Sequence, residues 1–396
     1  MDILTFGIDD RALLDGDSHS KRWNQRTGAY VNRLDVIVEM KNRRKIYEKH
    51  LSENVRIIPI YVPYPFLYSF IAYRKALELH KKDPYNLVTT EEPFRTGFAG
   101  WLFKRKTGVP LSVEYHNDTF YNDTWLNERP ISHRIYIILG KMALAVADSI
   151  RCVNKKHSIE LRKLCNNDRG KLIEIIPVPT EFYNYEKHSQ KAKEIRREIL
   201  KSTDGIIILF VGRLVPSKKV DELIKIFAEI RNIYLDTHLV IVGDGLERKK
   251  LIKLTEELGN ERIIFKGYIP EDEVLSYFGA SDIFINPAHI EAYGKVFIEA
   301  MSAGKPVICT NGSGAVEDGL CVNNLNSFVV SPGNLSELRS ALIRLIEDKE
   351  LRKSFGNNGC KMVEQKFHYE DSLKKMKDFW KKTIELQKRE YKYANK

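Results

Sequence analysis

The chain lacks any run of about 18 uncharged apolar residues, the minimum for a helix that spans a bilayer. Its nearest approach, Ile135–Ala147, is shorter and is broken by Gly140 and Lys141. It also lacks a basic segment at its start: Met1–Ile8 carries no Lys or Arg and Asp9-Asp10 follow at once, so no secretory signal is read there. Cysteines are few, at positions 152, 165, 309, 321 and 360, with no CxxC and no metal-ligand cluster. Their odd number and their place inside apolar runs read as reduced, buried thiols, and so as a cytoplasmic protein. There is no internal repeat and no low-complexity tract. With 43% hydrophobic and 30% charged residues, collagen-like, coiled-coil and disordered classes are excluded. What is present, 396 residues with ample core-forming material, suffices for two domains or three.

The net charge of +11 is unevenly spread. Residues 1–180 hold 29 Lys/Arg against 21 Asp/Glu, residues 181–373 hold 26 against 29, and residues 374–396 hold 9 against 3. The excess of the first half and the tail reads either as solvated helix faces or as a surface for an anionic partner such as phospholipid, lipid phosphate or nucleic acid. Residues 61–75 contain six aromatics, and Trp101-Leu102-Phe103 runs into Lys104-Arg105-Lys106. Such pairing suits peripheral contact with an anionic membrane, or equally a buried helix with a solvated end.

Short apolar runs alternate with helical patterns almost throughout. In the first half, strands are expected at Ile3–Phe6, Leu34–Val38, Val55–Ile60, Leu87–Thr90, Leu111–Tyr115, Ile150–Val153 and Leu172–Ile176. A second series runs from Ile206–Val211 through His238–Val242, Arg262–Lys266, Asp282–Ile285, Pro306–Cys309 and Ser327–Val330. Buried strands separated by helices mean βαβ units and parallel sheets, so the expected class is α/β, with two doubly wound domains and a ligand cleft between them. Pro177-Val178-Pro179 opens a polar stretch without strand signal. The divisions are therefore residues 1–180, a connection at 181–204, a second domain at 205–366 and a terminal helix at 367–396. In that helix Leu373, Met376, Trp380, Ile384, Gln387 and Tyr391 recur at three- or four-residue steps. The stripe is expected to dock on the protein itself, on the N-terminal domain, in preference to the alternative of direct membrane binding.

Three segments carry chemistry. In FVGRLVPSKKVDELI, residues 210–224, Gly212 permits close backbone approach, and Arg213 and Lys218 precede a helix. Such a turn is suited to a diphosphate, or is an ordinary solvated turn. Gly243-Asp244-Gly245 and Gly267-Tyr268 mark further turns at strand ends, and either a plain turn or a nucleotide base close by accounts for Gly267. In residues 286–319, Glu291 lies in a loop after a strand, where a carboxylate can meet sugar hydroxyls. The amides of Gly294, Lys295 and Val296 stand at a helix start, suited to phosphate or sugar oxygens. Glu299, eight residues after Glu291, is placed to accept bonds from a ribose diol or is a solvated helix glutamate.

The ordered set Gly212-Arg213…Lys218, Gly243-Asp244-Gly245, Gly267-Tyr268, Glu291…Glu299 and the following Glu-Ala-Met-Ser-Ala-Gly-Lys-Pro-Val-Ile resembles a retaining family-4 glycosyltransferase of GT-B fold, one of the glycosyl transferases group 1. The resemblance covers residues 205–360. It implies two Rossmann-like domains facing a central cleft, the N-terminal one for the acceptor and the C-terminal one for a nucleotide-diphosphate sugar. It implies that Arg213 and Lys218 hold the diphosphate, Glu291 the donor sugar and Glu299 the ribose, with Tyr293, Gly294, Lys295 and Val296 lining sugar and diphosphate. In the first half, Thr89–Phe94 and Pro110–Asp118 resemble family loops, and His116 stands where a family histidine contacts the sugar. Many relatives have a Gly-Gly loop after the first strand; here it reads Gly7-Ile8-Asp9-Asp10, with Asp17–Arg26 beyond, so acceptor recognition by that loop does not carry over.

The expected reaction is transfer of a hexose-type sugar, with retention, from a UDP- or GDP-sugar to a glycan or lipid-linked acceptor in glycan, glycolipid or polysaccharide synthesis. Glu291, His116, Arg213 and Lys218 are its candidate catalytic residues. No metal and no cofactor are expected, since no DxD motif lies in the donor segment, nor is nucleic acid. The location expected is cytoplasmic, with peripheral contact at the inner membrane face. A sugar-nucleotide epimerase of the same fold, or a noncatalytic lipid- or nucleic-acid-binding protein, are the alternatives.

Overall fold

The computed structural model describes residues 1–8, 19–41, 47–116, 119–165, 171–178, 183, 185–200, 205–259 and 261–394. Asp9-Asp10, the start of the Asp17–Arg26 segment, Asn117-Asp118, Pro179, parts of the 181–204 connection and the side chain of Tyr391 lie outside them. The chain divides into two compact units, Met1–Pro179 with Tyr369–Lys396, and Thr180–His368.

The first unit begins with β1 (Asp2–Phe6), α1 (His19–Gly28), β2 (Arg33–Met40), β3 (Lys49–Ser52) and β4 (Val55–Tyr61). It continues with α2 (Tyr68–Lys82), β5 (Leu87–Thr90), α3 (Arg95–Thr107), β6 (Leu111–Tyr115), α4 (Asp123–Glu128) and α5 (Pro130–Val146). It then runs through β7 (Ser149–Cys152), α6 (Lys155–Leu164) and β8 (Leu172–Ile175). The eight strands lie in the order β3-β4-β2-β1-β5-β6-β7-β8, all parallel except the β3–β4 pair. Seven of these strands coincide with the apolar runs read from the sequence. The eighth, β3, is a polar edge strand (KHLS) that exposes every second residue and carries no apolar signal.

The second unit opens with α7 (Ser189–Ile199), which buries Ala192, Ile195 and Ile199 and packs within this unit. Then follow β9 (Ile206–Val211), α8 (Val220–Ile230), β10 (Thr237–Val242), α9 (Arg248–Glu257), β11 (Ile263–Gly267) and α10 (Glu271–Ala280). The rest is β12 (Ile283–Asn286), α11 (Lys295–Ser302), β13 (Val307–Thr310), α12 (Gly314–Glu317), β14 (Ser327–Val330), α13 (Leu335–Glu347) and α14 (Lys349–Lys366). Its six strands are parallel, in the order β11-β10-β9-β12-β13-β14. A strand covered on both faces reads as an unbroken apolar run, as IIILFV of β9 does. Helix α8 buries Val220, Leu223, Ile224 and Phe227 at three- and four-residue steps against that sheet.

The chain then re-enters the first unit as α15 (Tyr369–Ala394). Its Leu373, Met376 and Trp380 are buried, and Met376, Phe379 and Trp380 join one core cluster with Ile3, Leu34 and Val36. The Thr383 hydroxyl donates to Ser149 Oγ at 2.7 Å. The apolar stripe thus closes one face of the first sheet. No helix among the described residues is long and apolar enough to cross a membrane.

In each sheet the chain reverses direction of growth at one place, between β1 and β5 in the first and between β9 and β12 in the second. Loops leaving the carboxyl ends of strands at such a point diverge and leave room for a ligand.

Candidate functional site

In the second unit the reversal brings the loop after β9 against the loop after β12. Gly212 N–H donates to Val242 O at 3.0 Å and Gly243 N–H to Gly267 O at 2.8 Å, so three strand ends are tied by their backbones. At Gly243, φ is +137° and a Cβ would come within 1.9 Å of Gly212 O, so only glycine fits. The chain beyond Gly212 turns through Pro216–Lys218 and places the Lys218 ammonium on Glu291 Oε2. Asn286 Nδ2 donates to the same oxygen at 3.2 Å. The Glu291 backbone is pinned as well, its carbonyl accepting the Gly314 N–H at 2.8 Å.

Helix α11 starts immediately beyond. Gly294 precedes it at φ +74°, where a Cβ would meet the Phe297 ring at 2.4 Å and Glu291 Cγ at 3.3 Å. Glycine there lets the Glu291 side chain stand beside the helix start, whose first amides have no intrahelical acceptor. One turn further, Glu299 is buried with only 5% of its surface exposed. Lys295 Nζ lies 3.3 Å from its Oε1 and also contacts Glu271 of α10. The Tyr185 hydroxyl donates to the Glu299 carbonyl at 2.7 Å. Burial works against charge on Lys295, but Glu299, Tyr183 and Glu271 outweigh it and raise its pKa above the ordinary lysine value. Glu299 is therefore a buried, ion-paired glutamate and not a solvated one.

The structure brings Lys218, Glu291, Gly294, Lys295 and Glu299 together around one helix start. Tyr293 is buried and Val296 half-buried there. Arg213 is exposed and makes no side-chain hydrogen bond or ion pair among the described residues. Tyr268 is also exposed, beyond the left-handed Gly267 that ends β11. Asn286, Glu271, Tyr183 and Tyr185 escaped the sequence reading. Only Asn286, at a strand end five residues before Glu291, carried a local signal.

The first unit has its own polar centre. His116 Nε2 and Arg151 Nη1 both lie 2.7 Å from Glu114 Oε2. Arg151 is buried, donating further to the carbonyls of Ile176 and Pro177 at 2.9 and 3.0 Å. These groups line a cavity of about 560 Å³ together with Trp23, Glu91, Trp125 and Trp380. Burial alone raises the Glu114 pKa, but Arg151 and His116 overcome it and hold the carboxyl down at about 2. Burial lowers the His116 pKa, with Glu114 opposing. A neutral His116 that donates Nε2–H to Glu114 keeps its lone pair on Nδ1.

This sets a pH dependence. The folded Glu114 pKa lies below the unfolded glutamate value of about 4.3, so its stabilisation is complete above that value and is lost as the pH falls through about 2. Urea unfolding of wild type and Glu114→Gln between about pH 7 and pH 2 should show a stability gap that narrows on acidification; a gap independent of pH contradicts the pairing.

Among the described residues no group of three or more His, Cys, Asp or Glu is placed to hold a metal ion. All five cysteines are free thiols.

Residues 191–362 match the family model described as Glycosyl transferases group 1. The chain is similar to the capsular polysaccharide biosynthesis glycosyltransferase CapM of Staphylococcus aureus, at 28% identity over 74% of this chain and 75% of that one. Its fold is similar to sucrose-phosphate synthase from Thermosynechococcus elongatus, with a TM-score of 0.82 at 20% identity over 96% of this chain and 99% of that one. It is likewise similar to HepE of Anabaena in complex with UDP-glucose, with a TM-score of 0.73 at 17% identity over 96% and 98%. Residues 191–362 thus resemble the glycosyl transferases group 1, in a chain whose two parallel-sheet units have the GT-B fold.

Proposed function

We propose that the protein is a retaining glycosyltransferase that moves a hexose-type sugar from a nucleotide-diphosphate sugar to a hydroxyl of a glycan or lipid-linked acceptor. The observation that carries this reading is the meeting of Lys218 with Glu291 at the β9–β12 reversal, inside the segment that matches the family.

The bond to be broken joins sugar C1 to a phosphate oxygen, and negative charge grows on the departing diphosphate. Lys218, Arg213 and the first amides of α11 are assigned to that charge, with no cofactor in the scheme. Lys218 is neutralised by Glu291. An arriving diphosphate takes over Lys218 and frees the Glu291 carboxylate for sugar hydroxyls. Glu299 is assigned to the ribose diol, its carboxylate fixed by Lys295. The acceptor oxygen bonds to C1 on the face the phosphate leaves, and its proton passes to the leaving phosphate oxygen, so no protein nucleophile is needed.

We assign the acceptor to the first-unit cavity. Thr89, Glu91, Glu92 and His116 on its lining offer hydrogen-bonding groups for sugar hydroxyls. Its cations are already matched, Arg151 by Glu114 and Arg95 by Glu39, which fits a neutral hydroxylated acceptor better than a phosphorylated one. His116 is the proposed sugar-contacting residue of this unit.

The test is a thermal-shift screen against UDP, GDP, ADP and their sugars, followed by turnover with glycoside acceptors and NMR of the product. A nucleotide sugar should raise the melting temperature, and the product should keep the donor's anomeric configuration. Inversion overturns the retaining assignment. Conversion of donor to an isomeric sugar nucleotide without acceptor overturns transfer itself.

A further inference from the structure

Helices α2, α3 and α5 form one layer, with α3 packed against both others. Their inner faces supply Tyr68, Ala72, Ala99, Phe103 and Leu144 to the first-unit core. Their outer faces are not polar, as those of a solvated layer are expected to be. Phe66, in the turn just before α2, and Phe70, in its first turn, are 68% and 52% exposed. Phe70 meets Phe98 edge-on at 6.0 Å, and Phe98 stacks on Trp101 of α3 at 5.2 Å. On α5, Ile131, Ile135 and Ile138 form a stripe at four- and three-residue steps, exposed by 80%, 50% and 59%.

The exposed charge on these helices is mostly of one sign. Helices α3 and α5 contain no Asp or Glu and α2 only Glu78; Arg95 and Lys104 are paired with Glu39 and Asp148, which leaves Arg105, Lys106, Arg134 and Lys141 exposed on α3 and α5. The Arg105 guanidinium lies over the Trp101 ring at 4.9 Å, joining the cationic rim to the aromatic patch. A nucleic-acid backbone matches the cations but has no use for an isoleucine stripe. Exposed aromatics and isoleucines ringed by cations fit the headgroup and upper acyl region of an anionic bilayer.

We propose that the outer face of α2, α3 and α5 docks the protein on an anionic lipid surface, through Phe66, Phe70 and the α5 isoleucines inserted among headgroups and the surrounding Lys/Arg on lipid phosphates. The same elements reach the acceptor cavity, which Phe94, Arg95, His133 and Tyr136 line. If the transfer reading also holds, a lipid-linked acceptor presents its sugar to that cavity while its tail stays in the bilayer.

Sedimentation with vesicles measures the docking without any sugar substrate, so it is independent of the transfer assay. The full chain should pellet with phosphatidylcholine vesicles containing phosphatidylglycerol at low salt, and at least about tenfold less with phosphatidylcholine alone. Phe66→Ser combined with Ile131→Ser and Ile135→Ser should lower binding to the anionic vesicles at least about tenfold. These side chains are largely exposed, and an unchanged melting temperature reports intact folding. Lys374→Glu with Lys375→Glu, exposed on α15, removes more net charge and should leave binding close to wild type. The proposal is overturned if wild type stays in the supernatant, if the triple variant pellets like wild type, or if the α15 variant loses as much binding as the triple variant.

Discussion

Replacing Lys218 by Ala is expected to lower turnover by about a hundred- to a thousandfold, the usual consequence of removing one preorganised group from a developing charge. Two effects add in that variant. The diphosphate loses a cation, and Glu291 is left half-buried with Asn286 as its remaining side-chain partner. Lys218→Arg should restore part of the rate, because it keeps the charge but not the short reach to Glu291. Arg213→Ala is the cleaner companion. Arg213 is exposed and makes no side-chain hydrogen bond or ion pair among the described residues, so its loss should leave the melting temperature unchanged while turnover falls at least about tenfold. Wild-type turnover in both variants would remove the diphosphate from this loop.

The second large effect is expected in stability. Arg151→Met removes the counter-charge of a carboxylate buried against it, and breaking such a pair typically costs about 3–5 kcal/mol. The guanidinium also satisfies two carbonyls, of Ile176 and Pro177, which the variant leaves bare. Urea unfolding should show the loss as a lower midpoint with an unchanged slope. The double variant Arg151→Met with Glu114→Gln should recover much of it, since no unpaired charge remains. A single variant as stable as wild type would mean that Glu114 finds another partner or lies in water.

Most of the parallel strands were legible because burial on both faces favours apolar runs; IIILFV of β9 needs no other signal. Strand β3 was not, since an edge strand of Lys-His-Leu-Ser looks like a loop. Helix α1 was missed for a related reason: HSKRWNQRTG shows no apolar stripe, and only Trp23, Asn24 and Thr27 against the sheet reveal its inner face. Helix α14 runs from Lys349 to Lys366 through Gly356, a residue that looks like a helix end but sits against the Gly304 backbone, where a side chain does not fit.

The site divides in the same way. Lys218, Glu291 and Glu299 stood out through their order along the chain. That Lys218 would rest on Glu291, 73 residues away, follows from the strand order and not from spacing. Nothing in Ser-Ile-Arg-Cys marks Arg151 as a buried group. Its burial depends on Glu114, from the neighbouring strand, and on the carbonyls beyond β8. The pairing of Lys295 with Glu299 is an i,i+4 contact visible in sequence, whereas Glu271 reaches the same ammonium from another helix.

The most direct measurement is a structure of the protein with the nucleotide sugar that raises its melting temperature most. The account predicts the diphosphate on Lys218 and Arg213 at the start of α11, the Lys218–Glu291 pair opened, and the ribose on Glu299. A donor bound elsewhere, with Lys218 still resting on Glu291, contradicts it.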